Sequence, residues 1–143
     1  MTASEPAYWE HFPHGADIGI RGVGRGKAEA FAQAGLALSA IVTRLEAIRA
    51  RQATAISCAA ANDELLFFAW INQLIFHMAA DGLVFGRYDI AIDDARLDAT
   101  AWGESLDRMR HRPAAEVKAA TFTELMVYTV SPDRWIAQCV VDV

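Results

Sequence analysis

Acidic residues mark both ends of this chain, and each lies at the edge of a segment with the alternating pattern of a β-strand. Asp17 opens the first such segment, which runs to Gly22, and Asp142 and Val143 close the last one. If the two strands meet, both aspartate side chains and the α-carboxylate of Val143 surround one gap. Three hard oxygen donors suit Ca²⁺ or Mg²⁺, and without a cation they would repel one another. The sequence therefore offers a candidate divalent-cation site, with an ordinary solvent-exposed terminal aspartate as the alternative.

Three glycines between the first strand and the following helix raise the alternative of a nucleotide-binding loop. Gly22, Gly24 and Gly26 directly precede Lys27. A dinucleotide-binding fingerprint requires a further glycine at the position of Lys27, and a P-loop requires Ser or Thr at the position of Ala28. Because both are missing, we interpret the cluster as a turn between a strand and a helix.

Nucleophilic and zinc chemistry have little support in the sequence. Cys58 and Cys139 form no CxxC pair, no G-x-S-x-G motif occurs, and the four histidines lack the paired spacing of a zinc site. We expect the cysteines to be small, buried hydrophobic residues of a reducing compartment. His77, in an apolar helix, is expected to be a hydrogen-bonded core or rim residue. No catalytic residue is therefore assigned.

Composition excludes several classes of protein. The chain has 143 residues, of which 54% are hydrophobic and 22% charged, which predicts one folded domain over residues 1–143 and excludes a disordered regulator. The net charge of −5 repels polyanions, and no basic run exceeds two residues, so a role near RNA is expected to run through a protein partner. No signal peptide or membrane span is apparent, which predicts a cytoplasmic protein.

The elements that must position the acidic ends follow from hydrophobic periodicity. The first dozen residues, with Tyr8, Trp9 and Phe12, form no clear pattern and are expected to be irregular. Three- and four-residue spacing predicts a helix with one buried stripe over residues 27–48, and residues 53–60 alternate like a strand. Residues 65–80 are apolar nearly all round, which predicts a deeply buried helix with Asn62 as its N-cap and Gly82 as its left-handed stop.

Beyond that helix the period changes to two. Strands are predicted around residues 88–92, 97–101, 117–119 and 135–141, with a turn at Asp93 and Asp94. The order is strand, helix, strand, helix and then a run of strands. This favours an α+β domain, in which two main helices pack on a mixed or largely antiparallel sheet. Helices on one face are the simplest arrangement, although strands wrapped around the central helix remain possible.

A series of short motifs, in order, resembles the archease family. The first strand, His14-Gly-Ala-Asp17-Ile-Gly-Ile, is similar to the family's H-x-A-D-x-G-I. The likeness continues in family order to the end of the chain through residues 28–38 (AEAF to AL), 63–75 (DELL to WINQLI), 82–85 (GLVF), 102–107 (WGESLD), 116–122 (EVKAATF) and 140–143 (VVDV). Each motif alone is weak, but the ordered series covers residues 14–143 and is specific.

The resemblance implies a function and a ligand set. Archeases are non-catalytic activators of the RtcB-type RNA ligase of tRNA splicing and RNA repair: they promote its GTP-dependent guanylylation and restore it for further turnovers. The family's Ca²⁺ ligands correspond to Asp17, Asp142 and Val143, although oxygen ligands alone would also accept Mg²⁺ or Mn²⁺. Charge and hydropathy add the expectation of no direct sequence-specific nucleic-acid binding and no contact with a membrane.

The same resemblance points to residues that would contact the ligase. Glu116 and Lys118, two residues apart on a predicted strand, would project from one face; a solvated pair of charges is the alternative. His14 is the third candidate for contact with the ligase. The chain also departs from the family, because Phe122-Thr123 replaces a frequent Tyr-His and Gly15 replaces a more usual Thr or Ser.

Two other functions compete with ligase activation. A metal-dependent phosphoester hydrolase would place His14 and Asp17 around a catalytic ion, but it needs a water-activating base and an open coordination position. A general chaperone would use exposed aromatic residues such as Tyr8, Trp9 and Phe12.

Overall fold

A computed structural model describes residues 6–143, so the first five residues of the expected irregular segment lie outside the described part of the chain. The elements in chain order are β1 (Tyr8–His14), β2 (Asp17–Gly24), α1 (Lys27–Val42), a 3-10 turn (Leu45–Ala47), β3 (Gln52–Ala59), α2 (Asp63–Ala80), β4 (Leu83–Asp93), β5 (Arg96–Ser105), α3 (Arg108–His111), β6 (Ala119–Ala120), β7 (Met126–Ser131) and β8 (Arg134–Asp142).

The strands form two antiparallel sheets. The first has the order β1-β2-β8, and β6 and β7 pair with successive parts of the outer edge of β8. The second has the order β3-β5-β4. The α+β class, the antiparallel pairing and the two main helices are confirmed, and the strands divide between two sheets.

Helix α1 lies between these sheets. It contacts β1, β2 and β8 on one side and β4 on the other. Small residues on both faces allow this approach: Gly22 of β2 faces the backbone of Ala30 and Ala34, and Gly35 faces the ring of Tyr88 in β4. The buried stripe predicted for this helix is present but wider than expected, because the sheets on two sides bury more than half of its circumference: Ala30, Phe31, Ala34, Gly35, Ala37, Leu38, Ser39, Ile41 and Val42. The remaining side, which carries Glu29, Gln33 and Leu36, is exposed or half-buried.

Helix α2 also buries one stripe. Trp70 and its neighbours are buried, whereas Phe76 is 59% exposed and Leu65 is 38% exposed. The prediction that this helix is deeply buried on all sides is wrong. Its large side chains cover strands of both sheets on one side, and the other side is exposed or half-buried. Its ends agree with the sequence: the Asn62 side chain accepts the backbone N–H of Leu65 at 2.9 Å, and Gly82 has φ of +63°. No helix within residues 6–143 is long and apolar enough to span a membrane.

The glycine cluster supports packing rather than ligand binding. A Cβ atom at Gly22 would come within 2.0 Å of the Ala30 carbonyl oxygen, and one at Gly24 within 2.7 Å of the Ala30 nitrogen. Both positions are therefore filled by helix α1. The interpretation as a structural connection is confirmed, and the side-chain-free surface of β2 is what lets the helix lie against it.

Several boundaries differ from those predicted. Residues 8–14 form β1 rather than an irregular segment, since Trp9 packs on the core and the Phe12 ring covers Gly19. Helix α1 ends at Val42 instead of residue 48, because the next residue, Thr43, has an extended backbone conformation. Strand β7 escaped prediction because this edge strand is exposed on both faces over most of its length and so lacks an apolar–polar alternation.

A buried carboxylate joins the end of β5 to the 3-10 turn and α3. Glu104 accepts hydrogen bonds from the backbone N–H of Arg49 at 2.8 Å, from Arg110 at 2.6 Å and from His111 Nε2 at 3.0 Å. The other His111 nitrogen accepts the backbone N–H of Asp107, so the proton lies on Nε2 and this histidine is neutral. Desolvation raises the pKa of Glu104, but the hydrogen bonds from Arg110, Arg49 and His111 outweigh it and hold the pKa at about 2.

Replacement of Glu104 should destabilise the fold in a pH-dependent way. Glu104→Gln removes the charge that Arg110 pairs with, so we expect a loss of about 2 kcal/mol in the free energy of unfolding at about pH 7. Because the folded pKa lies below the usual 4.5, the stabilisation is complete above that value and is lost as the pH falls toward 2. Urea unfolding at about pH 7 and about pH 3 measures this. Glu46→Gln, an exposed neighbour, serves as the control, and a difference that stays constant with pH would contradict the assignment.

The close approach of α1 to β2 predicts a severe effect at one glycine. Gly22→Ser should destabilise the protein by about 3 kcal/mol, because the new Cβ meets helix backbone that cannot move aside. Gly26→Ser is the matched control: that position has open space and caps α1, so serine there should be neutral or slightly stabilising. Equal losses at the two positions, measured by urea unfolding, would refute the packing argument.

Candidate metal centre

The pairing of β2 with β8 joins the two acidic segments. The antiparallel register runs from Gly24 opposite Trp135 to Ile18 opposite Val141. One residue further along the same register, Asp17 faces Asp142. Directly opposed residues of an antiparallel pair project to the same face with Cβ atoms about 5 Å apart. The two aspartates that the sequence singled out are therefore brought together.

Asp17 and Asp142 project from the face of the β2–β8 pair that is opposite the core. Ile20, Cys139 and Val141 are fully buried on the core side of the β2–β8 pair. Asp17 and Asp142 are offset from them by an odd number of positions and so project from the opposite face. Both residues are half-buried. This leaves the carboxylates accessible to an ion while shielding them partly from water.

No basic side chain neutralises the pair. Arg21, the arginine of β2, already donates to Glu10 at 2.6 Å and to Gln138 at 2.8 Å and lies over the ring of Phe12. Within residues 6–143, neither the Asp17 nor the Asp142 carboxylate takes part in a hydrogen bond or ion pair. Two unpaired carboxylates at facing positions are a donor set that fits a hard divalent cation.

The third oxygen would come from Val143. This residue directly follows Asp142 and is half-buried. In the described part of the chain, no group of three His, Cys, Asp or Glu side chains is placed to hold a metal. A cation at this position therefore needs main-chain oxygen or water in addition to the two aspartates.

The residues expected to contact a partner lie partly beside this pair. His14 faces Asp17 across the β1–β2 turn, and the backbone N–H of Lys118 donates to the Asp142 carbonyl at 2.8 Å. Glu116 lies two residues further away and lines a cleft of about 400 Å³. All three partner-contact residues are exposed. The strand predicted to carry Glu116 and Lys118 is wrong, because β6 begins only at Ala119 and the two residues lie outside any regular element.

One positioning residue was not identified from the sequence. Asn72, in the middle of the apolar helix α2, accepts the backbone N–H of Ala120 at 3.0 Å and so fixes β6 against the helix. Since β6 follows Lys118, this hydrogen bond places the lysine next to Asp142. A lone amide in an otherwise apolar helix was the available signal. Where the family often has Tyr-His, Phe122 stacks on Phe68 at 4.5 Å between ring centres.

The remaining reactive side chains are engaged in structure. Burial raises the pKa of the Cys139 thiol to about 12 and also raises that of the half-buried Cys58, so neither is a ready nucleophile. His77 bonds Asp81 at 2.8 Å, which confirms its interpretation as a satisfied rim residue.

Comparison with known sequences places this arrangement in a family. The profile of the archease protein family (MTH1598/TM1083) matches residues 9–143. This chain belongs to the archease family. Protein archease of Pyrococcus abyssi is 32% identical over 139 residues, covering 94% of this chain and 98% of the relative. Protein archease of Pyrococcus furiosus is 34% identical with the same coverage.

Solved structures show the same archease fold. The solution structure of Methanobacterium thermoautotrophicum protein 1598 superposes with a TM-score of 0.82 at 25% identity, covering 94% of this chain and 98% of that one. A crystal structure described as an archease and possible chaperone from Thermotoga maritima gives a TM-score of 0.62 at 20% identity over the full chain. The first comparison supports the two-sheet arrangement, and the second shows the fold alone.

The facing aspartates make a prediction that needs no ligand. Like charges directly opposed on a sheet destabilise it, so Asp17→Asn or Asp142→Asn should each raise the free energy of unfolding by about 0.5 kcal/mol in EDTA at low salt. The double variant should gain no more than either single one, since one substitution already removes the repulsion. Asp93→Asn, at an exposed acid of β4, controls for net charge. Additive gains in the double variant would show that the two carboxylates do not interact.

Proposed function

We propose that this chain is a non-catalytic accessory protein that activates an RtcB-type RNA ligase. The observation that carries the proposal is the pairing of β2 with β8, which brings the aspartates implied by the family resemblance to facing positions. Family membership supports the same role. The chain would promote guanylylation of the ligase and allow it repeated turnover in tRNA splicing or RNA repair.

Asp17, Asp142 and an oxygen of Val143 would hold a divalent cation. We expect Ca²⁺ in preference to Mg²⁺ or Mn²⁺. When bound, such an ion supplies positive charge and free coordination positions for oxygen ligands. The two aspartates meet the requirement for hard donors, and their lack of any other partner within residues 6–143 supports this use. Holding the ion would also tie β2 to β8 and add linkage stability.

The protein itself acts by binding. An accessory protein accelerates its partner only if it binds the reactive state better than the resting state. His14 and Lys118 flank the aspartate pair, and Glu116 borders the adjoining cleft, so opposite charges are presented beside the cation site. In this proposal these exposed side chains contact the ligase and favour its guanylylation-competent conformation.

A chaperone is the second candidate, and one observation favours it. Large apolar side chains are exposed on α2, on the edge strand β7 and on the loop before β7: Phe76 at 59%, Val130 at 56% and Phe122 at 67%. Such exposed side chains can dock protein segments. The aromatic residues predicted for this role do not supply it, because Tyr8, Trp9 and Phe12 are half-buried in β1.

A metal-dependent hydrolase has less support. It requires a metal with an open position and a nearby base. His14 and Asp17 do face each other, but the described residues contain no cluster of three metal-binding side chains around them.

Asp142→Ala should abolish stimulation of the ligase. We expect the intact chain to accelerate transfer of GMP from GTP to a cognate RtcB-type ligase and to allow multiple rounds of joining. The variant should lower that stimulation by at least about tenfold, because loss of one carboxylate weakens the cation site. Asp93→Ala, which removes an exposed charge elsewhere, should retain it. Radiolabelled guanylate on the ligase is the readout.

Two further measurements separate the parts of this proposal. Glu116→Ala/Lys118→Ala should lose stimulation while retaining Ca²⁺ binding in calorimetry, since it alters the contact and not the ligands. If Asp142→Ala stimulates fully, the cation has only a structural role. If the intact chain fails to stimulate but prevents aggregation of an unfolded client, the chaperone replaces the proposed activator.

A further inference from the structure

Charge is strongly segregated in the folded chain. Residues 44–51 and 104–112 hold six of the thirteen basic residues but only three of the eighteen acidic ones. These two segments therefore carry a net charge of +3, and the rest of the chain carries −8. The 3-10 turn, α3 and the end of β5 bring the two segments together around Glu104. A locally positive surface thus exists on a protein whose overall charge is negative.

An open cavity lies at the centre of this surface. Its volume is about 710 Å³, and Arg49, Arg51 and Arg108 line it together with Arg110. The cavity has two acidic wall residues against four arginines. Glu104 is neutralised by Arg110 and by the backbone of Arg49, and Asp107 accepts the backbone N–H groups at the start of α3. Positive charge therefore prevails inside the cavity.

A second cavity of about 680 Å³ continues the first. The two share Arg110, and the second adds Arg44 and Arg112. Arg110 is engaged with Glu104, whereas the other five arginines are exposed. Within residues 6–143, none of those five guanidinium groups takes part in a hydrogen bond or ion pair: Arg44, Arg49, Arg51, Arg108 and Arg112.

Unpaired guanidinium groups that line adjoining cavities create a positive local potential, which attracts anions. The planar guanidinium donates two parallel hydrogen bonds to phosphate oxygens, which makes arginine the preferred side chain for phosphate recognition. A band of five across two adjoining cavities exceeds what a single phosphate requires. No Phe, Tyr or Trp from the described residues lines either cavity, so no stacking platform for a base is present.

We propose that this arginine band binds the phosphate backbone of a single-stranded nucleic acid without reading its sequence. Successive phosphates lie along the two cavities, paired with Arg49, Arg51 and Arg108 in the first and with Arg44 and Arg112 in the second. The site is separate from the aspartate pair and does not depend on the proposed ligase. Residues 112–118, which form no regular element, link the two sites, and six residue steps limit the distance from Arg112 to Lys118 to about 22 Å.

This proposal differs from an expectation drawn from the sequence. The absence of basic runs and the net charge of −5 predicted that contact with RNA would require a protein partner. Local potential decides such binding, because charges more than about 10 Å away are largely screened at ordinary ionic strength. The acidic residues elsewhere on the molecule therefore weaken the band only slightly.

Fluorescence anisotropy of the purified full chain with a labelled oligouridylate of about twelve nucleotides tests the proposal. Affinity should fall as salt rises from about 50 to 200 mM, with a slope of log K against log salt of about −3.5 if all five arginines engage. Arg51→Gln/Arg108→Gln should weaken binding by at least about tenfold and reduce the slope by about 1.4. Both side chains are exposed and outside the Glu104 network, so the fold should persist.

Arg87→Gln/Arg96→Gln is the matched control. It removes the same charge from the face of the second sheet, where both arginines pair with aspartates, and should leave binding within about twofold. Arg44→Gln/Arg112→Gln tests whether both cavities take part. This variant should weaken binding of the oligonucleotide but not binding of inorganic tripolyphosphate, which the first cavity alone can hold.

Three outcomes would overturn the proposal. The first is no binding at about 50 mM salt, and the second is an equal loss in the control variant. The third is binding of a nucleoside triphosphate without binding of the oligonucleotide, which would make the cavity a nucleotide site.

Discussion

The pairing of β2 with β8 is the constraint on which the rest of the molecule depends. It joins segments separated by more than a hundred residues into one antiparallel ladder, from Ile18 opposite Val141 to Gly24 opposite Trp135. Because pairing fixes which side chains share a face, it determines both the core and the acidic site. A slip of one residue would turn the aspartates inward and the buried Ile20 outward. The register that buries Ile20 in the core therefore also brings the two aspartates together.

Small side chains make that ladder compatible with a central helix. Gly22 and Gly24 let α1 lie directly on β2, and Gly35 lets β4 approach from the other side. The sandwiched helix buries more than half of its circumference, and α2 covers strands of both sheets with one stripe and exposes Phe76. The same packing explains why a glycine cluster resembling a nucleotide loop has no room for a ligand. Close packing at one face therefore sets what the other surfaces can do.

Two surfaces of opposite charge result from this architecture. The aspartates end the β2–β8 ladder, and the arginine band surrounds Glu104, which holds the 3-10 turn and α3 to β5. Residues 112–118 connect them directly. In the two proposals above, the acidic site faces a protein partner and the basic one faces a phosphate chain. The net negative charge of the chain does not reveal these two surfaces. Salt screens the interaction between exposed charges beyond about 10 Å, so the local charge matters more than the total.

Local patterns in the sequence determined the class of fold, the Asn62 cap, the Gly82 stop and the positions of the acidic ends, because caps and alternation depend on neighbours a few residues apart. Tertiary structure alone decided which helix is enclosed, since apolar spacing reports a buried face but not how closely two sheets approach it. Tertiary structure also determined that β6 is short, that β7 is exposed and that the arginines form a band. Arg51 and Arg108 are distant in sequence, and only the folded backbone makes them neighbours.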